Sequence, residues 1–225
     1  MRRTVLHSLL ALAGIAAIVM ATSCYSDLTS DFQQLEDTTG SNVKLLDIST
    51  GANTAGEINL YGTRKVAQRI AVNLTSTSTL LHGVRIKLKR VGAFATQPDA
   101  QLYVQLWSET TNQPDAPEGP TTAKIDVSSI PETDPAGLED YIVFEFIVKP
   151  TFGTTSLHWI VLQFVQNGQT GNSSNYIQYY RDDAETITTP YSVTLYLRNS
   201  ITSGSWSDPS EGGDMGIVVY ATEYL

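Results

Sequence analysis

The sequence predicts an all-β protein, a single jelly-roll-like antiparallel β-sandwich of about eleven strands. From residue 43 onward, apolar residues alternate with polar residues in short bursts, which is the period of half-buried strands. Clusters of Gly, Pro, Asn, Asp and Ser separate these bursts, as turns between strands require. No segment of this region keeps a helical period over about ten residues. Period and turn composition therefore both indicate one β domain over residues 43–225.

The alternating segments define the strands. In chain order they are VKLLDI, EINLYG, VAQRIAV, GVRIKLKRVG, AQLYVQLWSE, AKIDV, DYIVFEFIVK, HWIVLQF, YIQYY, SVTLYL and GIVVYA. Because successive side chains of a strand point to opposite faces, each segment divides into two sets. In GVRIKLKRVG the inward set is Val84, Ile86 and Leu88, and the outward set is Arg85, Lys87 and Lys89.

The next segments are assigned in the same way. AQLYVQLWSE is expected to turn one set of residues inward, namely Leu102, Val104 and Leu106. Its outward set is then Tyr103, Gln105 and Trp107. DYIVFEFIVK has an inward set of Ile142, Phe144, Phe146 and Val148. Two Pro- and Asp-rich segments, TTNQPDAPEGPTT and SSIPETDPAGLED, are predicted to be long loops.

The N-terminal segment has the composition of an export signal. Arg2 and Arg3 precede an uninterrupted apolar run, LLALAGIAAIVMA, from Leu9 to Ala21. As a helix this run would be about 20 Å long, too short for a hydrocarbon core of about 30 Å. Basic start, short apolar middle and small-residue end predict a signal peptide over residues 1–23.

The only cysteine of the chain lies at the end of this signal. The sequence ATSC, ending at Cys24, resembles the bacterial lipobox, although Ala21 stands where a leucine is usual. The resemblance implies cleavage before Cys24, a diacylglycerol on its sulfur and a fatty acyl chain such as palmitate. Several acyl chains hold a protein firmly at a membrane, whereas one does so marginally. The alternative is an unmodified thiol beside an ordinary cleavage site.

The expected location follows from the same features. Residues 24–42 are polar and are predicted to be the lipidated cysteine and a flexible tether. Tyr25, rather than an aspartate, follows the cysteine, which favours the outer membrane or the cell surface in a Gram-negative host. The predicted protein is exported and anchored to the bacterial cell envelope through its lipid.

The charge of the chain excludes some partners. Its net charge is −9, and removal of residues 1–23, with two arginines and no acids, leaves 12 basic against 23 acidic residues and a net charge of −11. An acidic surface repels nucleic acid and anionic headgroups. We therefore expect no nucleic-acid partner.

The order of several segments resembles a known group of modules. These segments are VAQRIAV, GVRIKLKRVG, LYVQLWSET, FEFIVKPTF, HWIVLQF and GSWSDPSEGGDMGIVVY. Together they are similar to the bacterial extracellular jelly-roll domains called choice-of-anchor domains, over about Val66 to Tyr220. The resemblance implies a surface-displayed β-sandwich related in shape to carbohydrate-binding modules. It implies no established catalysis and no defined site residues.

The sequence shows no recognisable catalytic motif, and we expect no enzyme. GxSxG, HExxH and phosphate-binding glycine loops are all missing from the sequence. His82 and His158, the histidines left after processing, are expected to be ordinary strand residues. A pair of carboxylates acting on glycosides needs no histidine. Glu145 is the candidate for that third hypothesis, a hydrolase, and its alternative is an outward strand residue.

Two acidic segments are candidate cation ligands. RDDAE contains Asp182, Asp183 and Glu185, and SDPSEGGDMG contains Asp208, Glu211 and Asp214. Calcium takes six to eight oxygen ligands, often from carboxylates in loops. The four aspartates, Asp182, Asp183, Asp208 and Asp214, are the candidate site for structural calcium. No other cofactor is expected, and chance clustering in an acidic protein is the alternative.

Aromatic residues give the strongest indication of binding. Trp107 and Tyr103 share the outward face of one predicted strand, and Trp206 lies in a Gly-, Ser- and Asp-rich segment. Tyr179 lies beside Arg181 in a group that also contains Tyr176 and Tyr180. Aromatic rings can carry the apolar face of a sugar while polar neighbours bind its hydroxyls. Packing is the alternative; it is favoured over binding for Trp107 and Trp206, and more strongly for Trp159.

These features lead to three functional hypotheses. The first is a non-catalytic module that binds glycans or mediates adhesion through Trp107, Tyr103, Trp206, Tyr179 and Arg181. The second is a structural component of a surface protein complex, and the third is the hydrolase. The stripe Arg85, Lys87 and Lys89 would bind an anionic glycan or, more simply, pair with acids on a neighbouring strand.

Overall fold

The computed structural model describes residues 41–48, 51–72, 77–94, 99–153, 156–166, 169–183, 197–200, 205–207 and 213–224. Gly40–Leu225 forms one compact unit. Its described residues form three antiparallel sheets, which confirms the predicted all-β sandwich. The predicted signal peptide and Cys24 lie outside the described residues. No helix in the described ranges has the length and apolar character needed to cross a membrane.

Fifteen strands lie in the described part of the chain. They are β1 Ser41–Asp47, β2 Thr54–Ala55, β3 Lys65–Ala71, β4 Ser78–Ile86, β5 Leu88–Val91, β6 Gln101–Thr110, β7 Gln113–Thr121, β8 Ile125–Asp126, β9 Ile142–Glu145, β10 Thr151–Phe152, β11 Leu157–Phe164, β12 Tyr176–Asp182, β13 Leu197–Ser200, β14 Asp214–Met215 and β15 Ile217–Tyr224. Two short 3-10 turns, Val127–Ser129 and Leu138–Asp140, interrupt them.

The sheets differ in size and position. The six-stranded sheet has the order β13-β3-β11-β6-β7, with β8 beside β6. The five-stranded sheet has the order β1-β15-β4-β10, with β9 also beside β4. The four-stranded sheet has the order β14-β12-β2, with β5 also beside β12. One hydrophobic core unites residues of all three sheets, including Val84, Leu106, Ile160, Ile177 and Val219.

The alternation read from the sequence places the core correctly. The expected inward sets of the fourth and fifth predicted strands are all buried in this core: Val84, Ile86, Leu88, Leu102, Val104 and Leu106. The predicted inward position of Val148 is wrong, because β9 ends at Glu145 and Val148 is 69% exposed in the turn before Pro150. The tether prediction is also too long, since Ser41 and Asn42 already pair with β15.

The segment GVRIKLKRVG is two strands rather than one. Its chain leaves the five-stranded sheet after Ile86 and enters the four-stranded sheet at Leu88. Lys87 marks this corner, where its N–H donates to the Gly216 carbonyl at 2.8 Å and its own carbonyl accepts from Tyr180 N–H. A Cβ at Gly216 would approach Ala52 and Lys87, so glycine allows the strands to meet there. Such corners let strands change sheets.

The segment TTNQPDAPEGPTT is a strand, contrary to the predicted loop. Thr111 and Asn112 both have positive φ, of 46° and 62°, as the two-residue turns that match the twist of hairpin strands require. The chain then returns as β7 along β6. Its three prolines, Pro114, Pro117 and Pro120, are tolerated because β7 lies at the sheet edge.

Two other predicted strands have a different extent. EINLYG forms one isolated bridge, between Leu60 and Ile177, rather than a strand. SVTLYL lies outside the described residues except for Leu197, which begins β13. The short strands β2 and β14 are not predicted from the sequence, because two residues cannot show a period.

Candidate binding face

The candidate site is the surface of the six-stranded sheet that points away from the core, here called the outer face. It exists because β3, β11 and β6 alternate in register: Trp159 is paired with Arg69 on one side and with Trp107 on the other. Their intervening residues enter the core. The outer face contains Lys65, Ala67, Arg69, Tyr103, Gln105, Trp107, Glu109, Trp159, Val161 and Gln163.

A second apolar cluster lies on this face, separate from the main core. Its buried members are Ala67, Trp107, Trp159 and Val161, and Trp206 packs against them while partly exposed. The rings of Trp107 and Trp206 meet edge to face, with centroids 5.9 Å apart and planes at 84°, an arrangement that aromatic quadrupoles favour. Trp107 is only 9% exposed and Trp159 is fully buried. Trp206 therefore forms the accessible part of the cluster.

Trp206 reaches the face through a backbone bridge at the edge of the sheet. Ser207 exchanges two backbone hydrogen bonds with Asn199 of β13, at 2.8 and 2.9 Å. The Ser207 hydroxyl also donates to the Asn199 carbonyl at 3.2 Å. This bridge brings the chain back beside β13, and Trp206 extends from it to Trp107. The sequence places the two tryptophans about one hundred residues apart, so only the fold joins them.

Polar side chains surround the aromatic cluster. Gln105 Oε1 accepts hydrogen bonds from Trp107 Nε1 at 3.2 Å and from Gln163 Nε2 at 3.1 Å. Because an indole N–H can only donate, the Gln105 oxygen must face Trp107. Among the described residues nothing bonds the Gln105 amide nitrogen, which is therefore able to donate to a ligand. Sequence alternation placed Gln105 outward but did not indicate this role.

Lys65 and Tyr103 complete this part of the face. The Lys65 ammonium lies 4.5 Å from the centroid of the Trp107 ring, a favourable cation–π contact. Burial lowers the pKa of Lys65 from its ordinary value. Tyr103 is half-buried, and its burial raises the pKa of the phenol. Each shift reflects the cost of removing the charged form from water.

An ion pair between Arg69 and Glu109 lies at one end of the outer face. Arg69 Nε lies 2.6 Å from Glu109 Oε2, and Arg69 Nη2 donates to Glu109 Oε1 at 2.7 Å. Both side chains are largely buried, at 7% and 14% exposure. Arg69 belongs to β3 and Glu109 to β6, so the pair must cross β11, which lies between them. Bidentate geometry of this kind is the strong form of the arginine–carboxylate contact.

The predicted ligand contacts at Tyr179 and Arg181 do not belong to this face. Contrary to the prediction, both side chains are buried, with exposures of 0% and 1%. Tyr179 donates its hydroxyl to Asn199 Oδ1 at 3.0 Å, and burial raises its pKa to about 12. Arg181 Nε lies 3.2 Å from Asp183 Oδ1. The Tyr179 hydrogen bond joins β12 to β13, and neither side chain offers a surface to a glycan.

The carboxylates predicted to bind calcium are partly brought together. Asp182 and Asp214 are cross-strand partners of β12 and β14, and Asp214 Oδ1 accepts from Gln68 Nε2 at 2.8 Å. Asp183 Oδ2 accepts from the Thr54 hydroxyl at 2.5 Å. Asp208, like Glu185 and Glu211, lies outside the described residues. Within the described ranges no group of three acidic, His or Cys side chains could hold a metal ion, and calcium stays a prediction.

The basic stripe follows the corner in the chain. Lys87 turns inward and donates to the Ala52 carbonyl at 2.8 Å and to Asn53 Oδ1 at 3.1 Å. Lys89 binds Asp134 at 2.7 Å, which is in a loop and not on a neighbouring strand as expected. Lys89 and Arg90 line a cleft of about 540 Å³ beside β5 and β12. Arg90 pairs with Glu132 at 2.9 Å, so acids already neutralise these two cations.

The two histidines have different surroundings. His82 Nε2 bonds the Thr222 hydroxyl at 2.8 Å inside the five-stranded sheet, as an ordinary strand residue does. His158 lies between two polar side chains: its Nδ1 is 2.7 Å from Glu118 Oε2, and its Nε2 is 2.6 Å from Ser156 Oγ. The sequence alone does not predict this arrangement. Its one local signal is the SLH spacing, which places Ser156 and His158 on the same side of the chain.

The remaining candidate, Glu145, ends β9 and is exposed. Its backbone carbonyl accepts from Ala123 N–H at 2.9 Å. This position agrees with an outward strand residue rather than with a carboxylate held in a cleft.

No protein-family model matches the chain, and no curated protein is significantly similar to it. The resemblance to choice-of-anchor domains and to the lipobox therefore stays a prediction.

Proposed function

We propose that this protein is an exported, lipid-anchored component of the bacterial cell envelope whose outer face binds a glycan. The observation that supports the proposal is the aromatic cluster on the side of the sheet opposite the core. A sheet needs one buried face for stability. A second face with packed tryptophans, half-exposed aromatics and amide side chains has the composition of a ligand site.

The proposed binding mode assigns different tasks to the aromatic residues. Trp206 and Tyr103 are partly exposed and contact the apolar face of a sugar ring. Trp107 is covered, and it fixes Trp206 in place through their edge-to-face contact. The Gln105 amide nitrogen donates to a sugar hydroxyl, because its oxygen is already engaged by Trp107 and Gln163. This site binds its ligand and performs no chemistry on it.

A glycan array followed by calorimetry tests this mode. We expect Trp206→Ala and Tyr103→Ala each to weaken binding of a glycan hit by tenfold or more, which corresponds to about 1.4 kcal/mol. Tyr176→Ala is the matched control, since Tyr176 is also half-buried but lines the cleft beside β5. If both Trp206→Ala and Tyr103→Ala bind the glycan as tightly as wild type, the outer face is not the binding site. Binding that Tyr176→Ala alone weakens would move the site to the cleft.

One observation favours a structural role as a second candidate. Ile147 and Val148 are 71% and 69% exposed, and neighbouring exposed apolar side chains can mark a protein interface. The prolines of β7 protect that sheet edge from strand pairing, so assembly would use this turn instead. Sedimentation velocity of the double variant Ile147→Ser, Val148→Ser would show loss of an oligomer if the turn mediates self-assembly.

A further inference from the structure

The side chains of Ser156, His158 and Glu118 form a continuous chain of short hydrogen bonds. The Ser156 hydroxyl and His158 Nε2 are 2.6 Å apart, and His158 Nδ1 and Glu118 Oε2 are 2.7 Å apart. His158 is the second residue of β11, and Ser156 immediately precedes this strand. Glu118 comes from β7. The order of contacts is hydroxyl, imidazole, carboxylate.

The partners of the imidazole fix which nitrogen carries its proton. An ionised glutamate can only accept hydrogen bonds, so His158 Nδ1 must donate to Glu118. In the neutral imidazole Nε2 is then the acceptor, and the Ser156 hydroxyl donates to it. This is the tautomer in which an imidazole can remove the proton of a serine hydroxyl.

The carboxylate is the informative member of the group. Ser156 and His158 are two residues apart along an extended chain, so their contact follows from local geometry alone. The contact between Glu118 and His158 does not follow from local geometry, because β6 lies between β7 and β11 in the sheet. The Glu118 side chain reaches past β6 to bond the imidazole. A nucleophile, a base and a third group that orients the base define activated serines on unrelated folds.

The surroundings limit access but do not close it. The His158 side chain is 9% exposed, and the ring of Phe152 from β10 lies 4.4 Å from the imidazole, centroid to centroid. Ser156 is half-buried and Glu118 is 29% exposed. The imidazole is thus held between the six-stranded and five-stranded sheets, while Ser156 is only half-buried at the start of β11.

We propose that Ser156 is an activated nucleophile that accepts acyl groups from small carboxylic esters, with His158 as its general base and Glu118 as the positioning residue. Ser156 Oγ forms a bond to the acyl carbon, and the ester C–O bond breaks. The hydroxyl proton passes to His158 Nε2 and then to the departing alcohol oxygen. Water, activated by the same imidazole, releases the acid and restores Ser156. The proposal is independent of glycan binding at the outer face.

A fluorophosphonate probe tests the nucleophile in the full-length, detergent-solubilised protein. Attack by Ser156 Oγ forms an O–P bond, expels fluoride and leaves a stable adduct that peptide mass spectrometry can locate. We expect one adduct, at Ser156, and its complete loss in Ser156→Ala. Ser108→Ala is the matched control, because within the described ranges the Ser108 hydroxyl bonds the Ala116 backbone and no histidine. Wild-type protein that stays unlabelled from pH 5 to 9 would overturn the proposal.

The role of Glu118 has a readout that a structural contact would not change. Glu118→Gln keeps the shape of the side chain, but its amide nitrogen can donate to Nδ1 and favour the tautomer that cannot accept the serine proton. We expect the labelling rate to fall by about 10²-fold in Glu118→Gln and to recover in part in Glu118→Asp, which restores a carboxylate able to accept from Nδ1. An unchanged labelling rate in His158→Gln or in Glu118→Gln would contradict the proposed activation.

Discussion

At the scale of single residues, the structure shows how neighbours change the properties of an exposed side chain. Asp134 lies on the surface, yet hydrogen bonds from Lys89 and then from the Tyr180 hydroxyl hold its pKa below the ordinary value. Tyr180 is affected in the opposite direction, because burial, followed by the bond to Asp134, raises the pKa of its phenol. One carboxylate thus joins a lysine of β5 to a tyrosine of β12.

We predict that Lys89→Ala raises the pKa of Asp134 toward the value of an isolated aspartate, because Lys89 provides the largest stabilisation of the carboxylate. Carboxyl-detected NMR titration measures it directly. Lys124→Ala, which removes another exposed lysine, should leave that pKa unchanged. A depressed pKa contributes stability that is present above the unfolded value and is lost as the pH falls through the folded value. Equal titration curves for Lys89→Ala and wild type would contradict the assignment.

Gly56 is a position where the packing requires glycine. A Cβ at Gly56 would fall within the ring of Tyr179, which is fully buried. The backbone N–H of Gly56 donates to the Tyr179 carbonyl at 2.8 Å. The close approach of this backbone to the ring therefore requires the missing side chain.

At the scale of strands and turns, side chains join strands that are not neighbours. The Arg69–Glu109 pair links β3 to β6 across β11. It lies on the outer face, where Arg69 is the cross-strand partner of Trp159. Removing one partner of a largely buried ion pair is more costly than removing one partner of an exposed pair.

We expect Glu109→Gln to lower the free energy of unfolding by roughly 3 kcal/mol, because it breaks a largely buried, bidentate ion pair with Arg69. The matched control is Glu132→Gln, which breaks the Arg90–Glu132 pair. Glu132 is 63% exposed, so its loss should cost less than about 1 kcal/mol. Urea unfolding at neutral pH measures both variants. Similar losses in the two variants would show that burial does not strengthen the first pair.

At the scale of the whole molecule, polar bonds inside the sandwich connect different sheets. Gln68 of β3 donates to Asp214 at 2.8 Å and accepts from the Met215 N–H at 2.7 Å. Tyr179 of β12 donates to Asn199 of β13. These bonds join the six-stranded sheet to the four-stranded sheet. Because buried polar groups must be paired, they also favour one relative position of the two sheets over a sliding apolar contact.

The predicted membrane anchor belongs to this scale, because it decides where the folded unit lies. We expect bacterial envelopes to contain a mature chain that begins at Cys24 and carries acyl groups on that residue. Cys24→Ser should move the protein from the membrane fraction to the soluble fraction, because the acyl chains supply the membrane affinity. Mass spectrometry of the N-terminal peptide checks the first outcome and fractionation the second. An unmodified Cys24 thiol in wild-type protein would contradict the anchor.

The sequence by itself determined which residues of a strand face the core. Leu102, Val104 and Leu106 are buried as predicted, and Tyr103 and Gln105 point outward. This succeeds because the side-chain direction in a strand depends only on positions along the chain. The sequence wrongly predicted a loop for β7, because its prolines are acceptable in a strand only at a sheet edge. No local pattern states which strand will form the edge.

The tertiary structure decided which side chains meet. Trp206 covers Trp107, and Glu118 reaches His158, although long stretches of chain separate each pair. These contacts depend on sheet order and on the register between strands, which are set by the simultaneous packing of all the sheets. A period of two residues specifies a face, but it cannot specify the neighbour across that face.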